Sequence, residues 1–419
     1  MRLPQWFAER AEPISDDGEI RVSTLELFFD LVFVFTVTQL TTLLTDGFST
    51  DRFVGEGALQ ALLVFGVIWW MYSGYAWLTN TIPPVRAARR VLLLLGMTGF
   101  LIVALAIPSA FGSGGPAFAL GYLLLITVHA ALYLQATTAF WRVVPFNVAA
   151  TTLIFLTWFV PYPWSYLLWA GALVLLWGSP YFIGQKGFPL RAAHIVERHG
   201  LLIIVVLGES VIAIGIGAHG HAGPGFLVAA ALGLAVAACL WWVYFGWDDE
   251  TAAEHALARR EPVGRTRLIL GAYFYAHMPM LLGVVAAAAG VKKAVEHPFE
   301  PMKLGPSVAL AVGVALFLAG HRWYRRVLGL RRAPAPLIGT AAALLSGVVG
   351  LWSAVAQLAA VLVLLAALVV AEHRGRMVPA TPDNALAPVG TDLDPAPEKV
   401  PVAGAGSDGE NSAGRPSGH

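Results

Sequence analysis

From residue 24 to residue 371 the chain alternates long apolar stretches with short polar connectors. Twelve stretches reach or approach the roughly 20 residues a helix needs to cross a hydrocarbon core about 30 Å thick. They are 24–44, 58–80, 90–110, 117–137, 146–160, 164–184, 195–217, 226–246, 267–290, 305–323, 337–350 and 353–371. Residues 146–184 are too many for one crossing and are broken by Pro161 and Pro163, so the pattern predicts a hairpin. Residues 337–371 would run roughly 52 Å as one helix and are split near Gly347 to Ser353. Backbone groups in lipid must be bonded within the segment, so the spans are predicted to be helical.

Composition turns this pattern into a class. Apolar residues make up 57% of the chain and charged residues 13%. A soluble domain carries about 25% charged residues, so a water-facing surface cannot be assembled here. The net charge of +1 gives no footprint for nucleic acid, and Cys239 is the sole cysteine, so no disulfide scaffold exists. Lys and Arg accumulate in cytoplasmic loops. With the N-terminus inside and twelve crossings, only Arg52, Lys292, Lys293 and Lys303 of the 27 basic residues fall outside. The expectation is an all-α polytopic membrane protein of about twelve transmembrane helices, with both termini cytoplasmic, in the cell (inner) membrane. Residues 1–22, which lack the apolar core of a cleavable signal, are expected to form a cytoplasmic arm. Residues 377–419, rich in Pro, Gly, Ala and acid, are expected to be a disordered cytoplasmic tail.

The remaining body divides into halves, 23–190 and 191–376. Trp69-Trp70-Met71-Tyr72-Ser73-Gly74 in the second span recurs as Trp241-Trp242-Val243-Tyr244-Phe245-Gly246 in the eighth. A near-identical offset lays Glu26 on Glu197 and Thr38-Gln39 on Glu209-Ser210, and the third and ninth spans open on Arg90 and Arg267. Six spans per half is an even number, so the halves are expected to be parallel pseudo-repeats.

Candidate chemistry is sparse. Only Glu26, Asp30, Glu197 and Glu209 of the acidic residues lie within spans, all on the first helix of a half. An uncompensated charge at the bilayer centre costs about 2.5–3.5 kcal/mol on insertion scales, so each must pair, bond or carry a proton. Glu26 and Asp30 share one helix face, with Glu26 placed nearer the interface, where solvation is easy. Arg198 opens the seventh span, but Glu209 lies about 16 Å further along the helix, out of its reach. The expected partners of Glu209 are His277, His129 or Gln357. His277 precedes Pro279, which frees a backbone carbonyl, so a proton or cation could lodge there. His194-x-x-Glu197 has ligand spacing but no further ligands, so it reads as interfacial decoration, and no metal or cofactor is expected. No nucleotide loop, zincin helix or nucleophile elbow occurs.

Three blocks carry a resemblance. Leu25-Glu26-Leu27-Phe28-Phe29-Asp30-Leu31-Val32-Phe33-Val34-Phe35, then His194-Ile195-Val196-Glu197-Arg198-His199-Gly200-Leu201 with Leu207-Gly208-Glu209-Ser210, and Tyr273-Phe274-Tyr275-Ala276-His277-Met278-Pro279 resemble the bacterial low temperature requirement protein A family. The likeness covers about residues 20–375. His199 departs from the Phe expected at its position. The resemblance implies a polytopic membrane protein tied by name to growth in the cold, with no settled substrate. Three functions stay open: a proton- or cation-coupled transporter of an unknown small substrate or ion, a structural or sensory membrane protein, or an intramembrane lipid-acting enzyme. No catalytic constellation is visible, so an enzyme is not expected. The coupling candidates are Asp30, Glu209, His277, Glu26, Glu197 and Arg198, and the partner common to all readings is the bilayer.

Overall fold

The computed structural model describes residues 22–48, 55–134, 141–183, 190–218, 223–247, 249–330 and 335–377. The N-terminal arm and the tail beyond 377 lie outside the described residues. Among those described, the chain is helical without strands. In order come α1 (Thr24–Gly47), α2 (Gly55–Thr81), α3 (Ala87–Ala106), α4 (Gly115–Tyr133), α5 (Val144–Leu156), α6 (Ser165–Ile183) and α7 (Ala192–Gly217). There follow α8 (Pro224–Phe245), the short α9 (Asp249–Ala258), α10 (Pro262–Ile269), α11 (His277–Glu296), α12 (Leu304–Val327), α13 (Ala335–Gly350) and α14 (Ala354–Met377).

Among the described residues ten helical segments are long and apolar enough to cross a membrane, and Val144–Phe159 and Leu337–Gly350 are shorter apolar helices at the two split hairpins. The split positions therefore fall where Pro161, Pro163 and Gly347 to Ser353 put them. Large apolar side chains such as Leu105, Val174, Phe182, Leu345 and Val363 stand exposed on helix surfaces. So much contiguous apolar exposure is untenable in water and natural against lipid tails.

The centre of the bundle is built by α1, α2, α7, α11 and α12. Helix α1 packs on α7, and α1 also packs on α3 and α7 on α11. Helix α11 runs closely along α12 because glycines face each other: a Cβ on Gly283 would sit 2.5 Å from the Gly313 carbonyl oxygen. Small residues let membrane helices approach at this range, where van der Waals packing replaces the hydrophobic drive. Between α10 and α11 the helix widens into a π-turn, Leu270–Tyr275, with Ala276 N–H donating to Gly271 O at 3.1 Å. Pro279 supplies no N–H four residues after Tyr275, and the wide turn sits just ahead of that gap.

Candidate functional site

The site begins at the first turn of α1. Ser23 caps the helix: its hydroxyl oxygen accepts from the Glu26 N–H, while Glu26 Oε2 accepts from the Ser23 N–H at 2.9 Å. This reciprocal box satisfies two otherwise orphaned donors and fixes the Glu26 rotamer. The other oxygen, Oε1, points across to α7. There Arg198 Nη1 donates to Glu26 Oε1 at 2.7 Å and to Thr79 Oγ1 at 2.6 Å, and Nη2 donates to Asp30 Oδ1 at 3.1 Å. Tyr72 OH donates to the same Asp30 oxygen at 2.9 Å. The guanidinium carbon lies 5.7 Å from the ring centres of both Phe29 and Tyr72, within cation–π range. Glu26, Asp30 and Arg198 are 2%, 0% and 1% exposed. Glu26 is thus sealed inside the protein, a correction to the expectation that it is readily solvated.

His194 joins the cluster. Its Nε2 is 3.2 Å from Glu26 Oε1, and its Nδ1 is 3.2 Å from Asn80 Nδ2. Asn80 is oriented by the Arg191 backbone, accepting its N–H on Oδ1 at 2.9 Å and donating from Nδ2 to its carbonyl at 3.0 Å. An amide nitrogen only donates, so His194 Nδ1 accepts and the ring hydrogen sits on Nε2, facing Glu26. The reading of His194 as interfacial decoration is overturned, because the ring is buried against a carboxylate. Its spacing partner goes the other way: Glu197 is exposed and accepts the Val22 N–H at 3.1 Å.

Two carboxylates therefore share one guanidinium, and a histidine accepting at Nδ1 adds no charge. Asp30 Oδ2 and Arg198 Nε have no hydrogen-bond partner among the described residues. Stripping an ion of water costs several kcal/mol even after relaxation, and one guanidinium balances only one of the two carboxylates. The cluster holds room, chemically, for one more positive charge at Asp30.

Glu209 lies elsewhere on the same seam. Thr38 Oγ1 donates to its Oε2 at 2.6 Å. Thr38 is eight residues past Asp30, about 12 Å along α1. Glu209 and Asp30 thus occupy two levels of the α1–α7 contact. None of the three partners expected for Glu209 reaches it. His277 donates from Nδ1 to Ala272 O at 2.8 Å and accepts from Tyr244 OH on Nε2 at 3.0 Å. Gln357 exchanges bonds with Ser307, locking α14 to α12. His129 packs against the Tyr75 and Tyr133 rings.

His277 instead belongs to an aromatic cluster. Its ring lies 5.2 Å from His199 and 5.1 Å from Tyr273, whose hydroxyl meets that of Tyr324 at 3.1 Å. His199 stands edge-on to Tyr273 and Trp69, and its Nδ1 donates to Ile195 O at 2.9 Å, a bond the Phe expected there could not make. The sequence reading missed a second ion cluster beyond this one. Arg325 on α12 reaches Asp249 and Glu372, each at 3.2 Å, with His321 at 3.9 Å from Asp249. The one shared feature is weak: a histidine precedes the arginine by four residues in both clusters, at 194 and 198 and at 321 and 325, but also at 255 and 259, where the arginine is exposed.

Apolar helices rimmed for lipid, with charge sealed between them, define a polytopic helical membrane protein. Residues 21–371 match the sequence model of the bacterial low temperature requirement A protein (LtrA), and the chain belongs to that family. It is also similar to an uncharacterised protein of Rhizobium meliloti, 29% identical over 334 residues, which cover 74% of this chain and 78% of that one.

Proposed function

We propose that the protein is a carrier of the cell membrane that moves a small solute together with a proton or monovalent cation, the ion being taken up at Asp30. The observation behind this reading is the charge imbalance of the buried cluster: Glu26 and Asp30 against Arg198, with Asp30 Oδ2 unbonded among the described residues. A purely structural lock is best served by neutrality, because a surplus buried charge is destabilising. In this reading the two short helices also cross, giving twelve spans, two parallel halves and cytoplasmic termini. The Lys and Arg distribution supports that orientation. The aligned Trp-Trp-x-Tyr-x-Gly blocks match Tyr72 with Tyr244, and each of these hydroxyls bonds a buried ionisable side chain, Asp30 in one case and His277 in the other. Glu209, with its Thr38 hydroxyl, is a second stop for the ion further along α1.

The test is purified protein in liposomes loaded with dyes for protons, sodium and potassium, with a membrane potential imposed. The expected result is ion movement above that of empty liposomes, abolished by Asp30→Asn at unchanged yield and thermal stability. Equal movement through a well-folded Asp30→Asn protein, or none of the three ions moving through the native chain, would sink the carrier reading.

A further inference from the structure

The turn of α2 that serves the ion cluster has a second face. Trp69 and Tyr72 point toward α1 and the π-turn, Trp69 Nε1 donating to Phe274 O at 2.9 Å and Tyr72 to Asp30. Trp70, Ser73 and Gly74 face away, into a cavity of about 100 Å³ bounded by α2, α4, α5, α6 and the π-turn. Its aromatic walls are Trp70, Trp77, Tyr133 and Phe274. Among the described residues no Asp, Glu, Lys or Arg lines it, while His129 and Thr266 do.

Polar groups are few and placed. Ser73 is buried, and its hydroxyl has no hydrogen-bond partner among the described residues although it lines the cavity. Asn147 accepts the Trp70 indole hydrogen on Oδ1 at 2.8 Å, which leaves its amide hydrogens to offer. A buried hydroxyl left without a partner forfeits a bond that a ligand oxygen would supply.

From this geometry we infer that the cavity is a binding site for a small neutral molecule with an aromatic or compact aliphatic body and one oxygen that accepts a hydrogen bond. Size bounds the ligand: an apolar protein cavity of about 150 Å³ takes benzene, so this one, at about 100 Å³ and open at its mouth, holds at most one small ring with its substituent toward the opening. Charge bounds it too. A carboxylate or ammonium would leave water for a largely apolar lining that offers no Asp, Glu, Lys or Arg among the described residues, at a cost ring contacts do not return. That the bound molecule is the carrier's cargo rests on the function proposed above, since α2 presents its two faces to ion and ligand at once; the binding itself does not.

The test is fluorine NMR on the full chain in lipid nanodiscs, with 4-fluorophenol, fluorobenzene and 4-fluorobenzoate as probes and empty nanodiscs as background. Expected is saturable binding of 4-fluorophenol, about fivefold weaker binding of fluorobenzene, and none of 4-fluorobenzoate, the factor being that of one hydrogen bond. Ser73→Ala should weaken 4-fluorophenol by a similar factor and leave fluorobenzene unchanged, and Ser73→Leu should abolish both by filling the space. Binding no greater than that of empty nanodiscs overturns the inference. So does a folded Ser73→Leu protein that binds as the native chain does, or a co-purified lipid chain that 4-fluorophenol fails to displace. Ion movement lost or absent while 4-fluorophenol still binds would count against the carrier and leave the site standing.

Discussion

Arg198 is the residue whose loss should be felt most. Its side chain, 1% exposed, is ion-paired with Glu26 and Asp30 and hydrogen-bonded to Thr79. Arg198→Met keeps the apolar stem and deletes the charge, leaving two carboxylates facing one another out of water. Breaking a buried pair by removing one partner costs about 3–5 kcal/mol. At about 2 °C per kcal/mol, the lower end of what domains of 150–250 residues show, apparent Tm should fall by about 6–10 °C. The controlling comparison is the triple variant Arg198→Met, Glu26→Gln, Asp30→Asn. It carries no charge to strand, and charge-free replacements of buried triads are often neutral or stabilising by about 1–4 kcal/mol. Thermal unfolding of both variants in detergent, followed by tryptophan fluorescence, measures the difference. A single variant that melts with the native protein, or a triple variant that melts below the single one, refutes the electrostatic account of this cluster.

Glu209→Gln keeps an oxygen for the Thr38 hydroxyl and should lower Tm by no more than about 2 °C, whereas Glu209→Ala leaves that hydroxyl unpaired at a cost of about 1–3 kcal/mol; equal melting of the two would show that the bond contributes nothing. Gly313→Leu should abolish recovery of folded protein, because its Cβ would run into the backbone of Ala287, and size-exclusion profiles report this directly. Cysteine labelling in intact cells should place residues 138–145 and 324–336 on the cytoplasmic side and 112–116 and 218–225 on the opposite side. Labelling of 138–145 and 112–116 from the same side would remove the twelve-span topology.

The helices were legible because bilayer thickness imposes a length and lipid imposes an apolar composition, so each stretch announces itself locally. Pairing was less so. That Glu26 and Asp30 share a face follows from their spacing, but their meeting with Arg198 depends on α1 lying against α7, a tertiary fact. His194 was misjudged for the same reason: a histidine three residues from Glu197 suggests a local pair, while the fold turns one inward and the other out. Thr38 gave no warning, since a threonine in an apolar helix more often bonds its own backbone, as Thr41 does to Val37 O. Asp249, Arg325 and Glu372 sit near helix ends, where charges ordinarily meet water, and the His-x-x-x-Arg spacing is too common to set Arg325 apart, since the exposed Arg259 follows His255 by the same four residues.

Glu26 divides its two oxygens between neighbours made at very different times. One caps its own helix, three residues away, and the other waits for an arginine 172 residues downstream. At about 5–20 residues per second, α1 is synthesised about 9 to 34 s before Arg198 exists. Throughout that interval the first span holds two carboxylates with no counter-charge, a burden on its insertion of about 2.5–3.5 kcal/mol for each that reaches the bilayer centre. The capping box detains Glu26 at the membrane edge, but Asp30, a turn deeper, has no such shelter. Asp30 therefore gains its ion pair only when α7 follows, which couples the seating of α1 to a helix made much later.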